Sequence, residues 1–252
     1  MNFILNSLQV EIRRLTRSGL LAGLLITFAF FGLSGPALAL YMPKILATST
    51  KTDQVTMTAA DPTPVDGIAL FNQSAMQLGL ILAVTVAITS LGWDTRPGSS
   101  SFYRTRTSHL IGITLPRLGV DWVIVAASHA FALGLAAWQT QAFIGPLSVT
   151  YLFRTGMASI TYMVMAMNVG YLIMAITRRT ATAIAVSTIL MLVLPLANNS
   201  PATARWSPTA LLGAAAGTTD LIGPYLSAGM VFIACLALAS WVTARHGLRR
   251  EA

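Results

Sequence analysis

Long apolar runs separated by short polar intervals dominate the chain. Runs of this length that hold few charges are typical of helices that cross a hydrocarbon core of about 30 Å. The pattern predicts six spans, at approximately 19–42, 72–93, 113–138, 152–176, 181–196 and 225–242. We therefore expect an all-α membrane protein with a single transmembrane domain over residues 1–252.

Residues 2–17 have a helical period instead of a continuous apolar run. Apolar residues recur at spacings of three and four from Phe3 to Leu15, and Arg13 and Arg17 lie between them. This pattern predicts an N-terminal amphipathic helix at the membrane surface, with its apolar face toward lipid and its arginines toward the headgroups.

A secretory signal peptide is the alternative interpretation of the N-terminus. Arginines precede an apolar stretch that ends in Ala37-Leu38-Ala39, as in a cleavage region. The uncharged stretch from Gly19 to Met42 is longer than the apolar region of a signal peptide, however. A membrane span is therefore favoured.

Residues 198–224 depart from the pattern of the spans. Prolines and glycines interrupt them repeatedly, although Thr209–Ala216 is apolar and small. As a helix those eight residues would be about 12 Å long, far less than a bilayer core requires. We predict a re-entrant helical hairpin before the last span, which enters the outer leaflet and returns on the same side.

The basic residues predict the orientation. If the polar interval 93–117 is cytoplasmic, twelve of the sixteen Lys and Arg residues lie inside. The remaining four, which lie outside, are Lys44, Lys51, Arg154 and Arg205. By the positive-inside rule, both termini are then cytoplasmic.

Composition agrees with this assignment and excludes several functions. The chain is 55% hydrophobic and 10% charged, as expected of an integral membrane protein. Its net charge of +8 comes from arginines clustered at the ends of apolar runs, which favours a topology signal over nucleic-acid binding. Cys235 is the single cysteine, and the three histidines are far apart, so we expect no metal site.

The motifs of an enzyme are missing from the sequence. The two lysines, Lys44 and Lys51, follow Pro43 and Thr50, so there is no phosphate-binding loop. Ser128 and His129 are adjacent, but no acid or nucleophile elbow accompanies them. We expect no catalysis by this chain, and we expect His129 to be a hydrogen-bond donor between helices.

Polar residues within the spans are candidates for a substrate pathway, because they are costly against lipid. The candidates are Asn72, Gln73, Gln77, Asp121 and Asn168. Asp121 follows Arg117 by four residues, so the two can pair along one helix face. A structural ion pair is therefore the alternative for Asp121.

The interval after the second span predicts a turn and a short surface helix, and it leads to a family. It contains an acid, Pro-Gly, serines, aromatic residues and arginines in that order, and Trp206–Leu212 precedes the last span. In this arrangement the chain resembles the permease subunits of ABC-2 type transporters. The resemblance implies ATPase-coupling roles for Asp94, Thr95, Arg96, Pro97, Gly98, Ser99, Phe102, Tyr103 and Arg106.

The resemblance further implies an exporter in the plasma membrane. It implies two copies of the permease, or one copy and a similar permease, bound to two ABC ATPase chains. ATP and Mg would bind the ATPases, and this chain would carry no cofactor. A drug, peptide, lipid or polysaccharide substrate stays open. Two alternatives also stay open: a non-transporting scaffold or sensor, and an ATP-independent channel or carrier.

Overall fold

A computed structural model describes residues 2–49, 61–92, 111–200, 203, 205–217 and 220–248. Within these ranges every element of secondary structure is helical, which confirms the all-α fold class. The coupling segment 94–106 lies outside the described residues.

The elements follow one another along the chain with short connections. The α-helices are α1 (Asn2–Arg17), α2 (Leu20–Ser49), α3 (Pro64–Ser74), α4 (Leu80–Ser90), α5 (Ile111–Phe143), α6 (Val149–Thr177), α7 (Thr180–Val193) and α8 (Ile222–Leu248). A π-helical turn, Ala75–Gly79, joins α3 to α4, and two 3₁₀ helices, η1 (Leu194–Asn199) and η2 (Pro208–Ala216), lie between α7 and α8.

Five helical stretches in the described ranges are long and apolar enough to cross a membrane. They are Leu20–Ile45, Pro64–Ser90, Gly112–Phe143, Val149–Thr177 and Ile222–Arg245. They coincide with five of the six predicted spans, so the chain is a membrane protein of transmembrane helices. The other predicted span, 181–196, corresponds to the shorter apolar helix Thr180–Leu196.

The second and fourth spans form the centre of the bundle. The most apolar windows of Pro64–Ser90 and Val149–Thr177 are 61% and 56% buried, against 17% for the last span. The α2 and α5 helices pack on one side of this centre, while α7, α8 and η2 pack on the other. The outward apolar side chains of α8, such as Ile233 and Met230, suit a lipid environment.

Small residues let α2 approach its neighbours closely. A Cβ atom on Gly32 would lie 2.5 Å from the carbonyl oxygen of Ala132, and one on Gly35 would lie 2.6 Å from the Cα of Phe71. Any side chain at these two positions would push α2 away from α5 and α3. Close contact through glycine is a common means of packing helices in membranes.

Local chemistry sets two of the helix ends. At the start of α3, Thr63 and Asp66 form a capping box, in which the Thr63 backbone amide donates to Asp66 Oδ2 at 2.8 Å. At the end of α6, Arg178 adopts a left-handed conformation with φ of 54°. The chain therefore turns within two residues and enters α7.

Candidate functional site

Four charged residues gather where α1 meets α5. Glu11 and Asp121 are fully buried, the Arg117 side chain is 5% exposed, and the Arg14 side chain is 25% exposed. We refer to these four residues as the charge cluster. Their formal charges cancel, as burial in a low-dielectric interior requires.

Contacts within the charge cluster run between helices. Arg14 Nη2 lies 2.5 Å from Glu11 Oε1 and 3.7 Å from Asp121 Oδ1, so one nitrogen serves both carboxylates. Arg117 Nε lies 3.9 Å from Glu11 Oε2. Arg14 Nη1 also donates to the hydroxyl of Thr89 in α4 at 3.3 Å. Arg14 therefore connects α1, α4 and α5.

The helical period of α1 accounts for the position of Glu11. Ser7, Glu11 and Leu15 are spaced by four residues and are all buried, so they form one face of α1 against the bundle. Arg13 and Arg17 are exposed on other faces. The sequence predicted that α1 is amphipathic, but it did not identify an acid on the buried face.

Burial and the neighbouring cations act on Glu11 in opposite directions. Burial raises the pKa of the Glu11 carboxyl above its ordinary value, because a dehydrated carboxylate is costly. The guanidinium groups of Arg14 and Arg117 lower the pKa and only partly offset this effect. Glu11 therefore depends on both arginines to be ionised at this position.

A cleft of about 400 Å³ forms the second polar region, near the junction of α3 and the π-helical turn. The second span, α6, α7, η1 and η2 supply its walls. The lining residues are Ala69, Asn72, Gln73, Met76, Gln77, Leu80, Tyr162, Met191, Leu192, Pro195, Leu212, Ala215 and Ala216. This set holds three amides and two methionines and has no charged member.

The amides of the cleft differ in exposure. Asn72 is 3% exposed, and its Oδ1 accepts a hydrogen bond from Ser159 in α6 at 2.5 Å. Gln73 and Gln77 are exposed. Asn72 thus joins the second span to α6, whereas the two glutamines are available to water or a ligand.

The π-helical turn lies on the wall of the cleft. It contains Met76 and Gln77, two of the lining residues, and Gly79, where a Cβ atom would lie 2.9 Å from the Phe28 ring. Single π-helical turns within α-helices occur frequently at functional sites. The apolar period of the sequence gave no sign of this turn.

Hydrogen bonds fix the short helices beside the cleft. The hydroxyl of Tyr151 donates to the carbonyl of Ala215 in η2 at 2.5 Å. Thr209 is fully buried and donates to Asn198 Oδ1 at 2.7 Å. The predicted pair of short helices therefore corresponds to η1 and η2, which pack on protein.

The structure divides the predicted pathway residues among three places. Asn72, Gln73 and Gln77 line the cleft, and Asp121 belongs to the charge cluster. Asn168 is fully buried in α6, where its Nδ2 donates to the carbonyl of Val164 at 2.7 Å. Asp121 and Asn168 are not among the residues that line the cleft.

His129 does not have the expected hydrogen bond. Its ring is fully buried, 5.4 Å from the stacked Phe71 ring and 5.8 Å from the edge of the Phe28 ring. Neither ring nitrogen bonds to a described residue. The expectation failed because aromatic residues from α2 and α3, rather than polar ones, enclose the imidazole.

Sequence reasoning also missed Glu11, Arg14 and Thr89 at the charge cluster and Tyr162 and Met191 at the cleft. A signal existed for Glu11, since it shares the face of Leu15. No comparable signal existed for the cleft residues, which become neighbours through the packing of separate helices. Comparison of the chain with protein-family models, with curated proteins and with solved structures gives no match.

Proposed function

We propose that this chain is the transmembrane permease subunit of an ATP-driven ABC exporter. In this proposal Thr180–Leu196 completes six spans, the region of η1 and η2 is re-entrant from outside, and both termini are cytoplasmic. Two such permeases, or one and a similar partner, would bind two ABC ATPase chains in the plasma membrane.

The observation that carries the proposal is the uncharged, partly open cleft beside the most buried span. Its volume of about 400 Å³ falls within the range of small-molecule sites. Exposed glutamines at 73 and 77 provide hydrogen bonds, and methionines at 76 and 191 provide an adaptable apolar surface. This combination suits passage of a substrate better than packing, for which such exposed amides have no use.

Coupling is assigned to the segment between α4 and α5. Asp94–Ser99, Phe102, Tyr103 and Arg106 would dock on an ATPase that binds ATP and Mg. Because α4 continues the span that lines the cleft, a displacement of this segment would move the cleft wall. The chain would thus form the pathway and leave hydrolysis to its partner.

The lining of the cleft bears on the alternative of an ion-coupled carrier. Such a carrier is expected to place ionisable groups in its pathway. The residues that line the cleft include no Asp, Glu, Lys, Arg or His. A scaffold without transport would need neither the cleft nor its exposed glutamines.

Purification in mild detergent tests the proposal. An affinity-tagged chain, expressed from its native chromosomal context, should retain an ATPase with a phosphate-binding loop, identified by mass spectrometry. Asp94→Ala and Gly98→Val should lose this partner while the permease still inserts. Asp61→Ala, at an exposed residue outside the segment, is the matched control. Recovery of the folded chain without any ATPase would contradict the proposal.

A further inference from the structure

The charge cluster occupies a position that the proposed pathway does not use. Arg14 of α1 contacts Thr89 in the last turn of α4 and Asp121 in α5. The α4 helix ends at Ser90, and α5 begins at Ile111. The α1 helix therefore bridges the two helix ends that flank residues 91–110.

Few other interactions hold α1 in this position. Leu5, Val10 and Ile12 are about half exposed, whereas Ser7, Glu11 and Leu15 form the buried face. Gly19, with φ of 73°, separates α1 from α2. The attachment of α1 thus depends strongly on the charge cluster.

Each charge of the cluster depends on the others. Two carboxylates and two guanidinium groups balance, and the serine of α4 nearest to them, Ser90, donates its hydroxyl to the Ala87 carbonyl at 2.8 Å. Removal of one member leaves a net charge in the interior, whereas removal of an opposite pair restores the balance.

We propose that Glu11, Arg14, Arg117 and Asp121 form a clamp by which α1 holds the ends of α4 and α5 together. The α1 helix is then a positioning element for these two helices instead of a passive surface anchor. A displacement of α4 relative to α5 separates Arg14 from either Thr89 or Asp121, so the clamp opens when the helix ends part. The clamp rests on the geometry of the cluster, and its role in transport rests on the proposed function.

Pairs of spin labels on exposed residues can measure the clamp in the full chain, with Cys235→Ala as background, in lipid nanodiscs. Labels at Val10 and Leu115 report the distance between α1 and α5. Labels at Leu78 and Leu115 report the distance between the second span and α5. All three positions are at least 42% exposed, so the labels leave the cluster intact.

The variants form a charge-balance series. Arg14→Met should shift both distance distributions to longer and broader values, because Glu11 and Asp121 lose their shared cation. The double variant Arg14→Met with Asp121→Asn should return both distributions toward wild type, because the pair of Glu11 and Arg117 remains. Arg14→Met with Arg117→Met should be worse than either single variant. Arg13→Met, at the adjacent exposed arginine, should change nothing.

Three results would overturn the clamp. The first is an Arg14→Met variant that behaves like Arg13→Met. The second is a double variant with Asp121→Asn that is more perturbed than Arg14→Met alone. The third is a change confined to the distance between Val10 and Leu115, because α1 would then dock without holding the helix ends. Retention of the ATPase is measured separately, so a failed exporter assignment and a failed clamp are distinguishable.

Discussion

The charge cluster and the cleft both place polar side chains inside a bundle of apolar helices, and they do so in opposite ways. The cluster is ionised, balanced and largely closed to water, with two carboxyls that are fully buried. The cleft is uncharged and partly open, with two exposed glutamines. Along the second span, Asn72 and Thr89 are separated by about 25 Å at 1.5 Å per residue. Polar residues in membrane helices therefore serve either to join helices or to face a cavity, and exposure separates the two roles.

The largest expected effect is at the charge cluster. Arg117→Leu should lower the free energy of unfolding by about 3–5 kcal/mol, because it leaves the buried carboxylates under-compensated. Denaturant titration of the detergent-solubilised chain measures this loss. Arg13→Leu is the matched control, since Arg13 is exposed on α1. Equal stability of the two variants would mean that the cluster does not hold the helices together.

An intermediate effect is expected at Asn72, the buried amide of the cleft. Asn72→Leu should cost about 1–3 kcal/mol, because the hydroxyl of Ser159 loses its acceptor in a buried setting. The companion variant Asn72→Leu with Ser159→Ala should recover part of this loss. A cost for Asn72→Leu that matches that of Gln73→Leu would remove the distinction between joining and lining amides.

A smaller effect is expected at the exposed side of the cleft. Gln77→Leu should change the free energy of unfolding by no more than about 0.5 kcal/mol, since the side chain is exposed. The same change should weaken export in a cell-based efflux assay, because a polar contact with the substrate is lost. A large loss of stability with unchanged export would place Gln77 among the structural residues.

The smallest effect is expected at His129, which belongs to neither class. His129→Phe should leave stability within about 1 kcal/mol of wild type, because the imidazole has no hydrogen bond to a described residue and lies against Phe28 and Phe71. Loss of export with intact folding would instead give the ring a functional role.

The sequence predicted the helices well because long apolar runs and the periodicity of residues 2–17 are local properties. It also predicted that Asn72, Gln73 and Gln77 belong together, since they follow one another on one helix. The neighbours of Asp121 were harder to predict, because pairing with Arg14 depends on how α1 packs on α5. The π-helical turn at Ala75–Gly79 was not predictable either, since it changes one local hydrogen-bond register without a proline or a charge.

Accessibility of the cleft is the most direct test of the central claim, that residues 73 and 77 line a transport pathway. Gln73→Cys and Gln77→Cys, each with Cys235→Ala, should react with a membrane-impermeant maleimide in intact membranes, and the reaction rate should change when nucleotide binds the ATPase. Ser90→Cys, at a buried residue near the charge cluster, is the control and should stay unreactive. Reaction of residues 73 and 77 with lipid-soluble reagents alone, unaffected by nucleotide, would contradict the account.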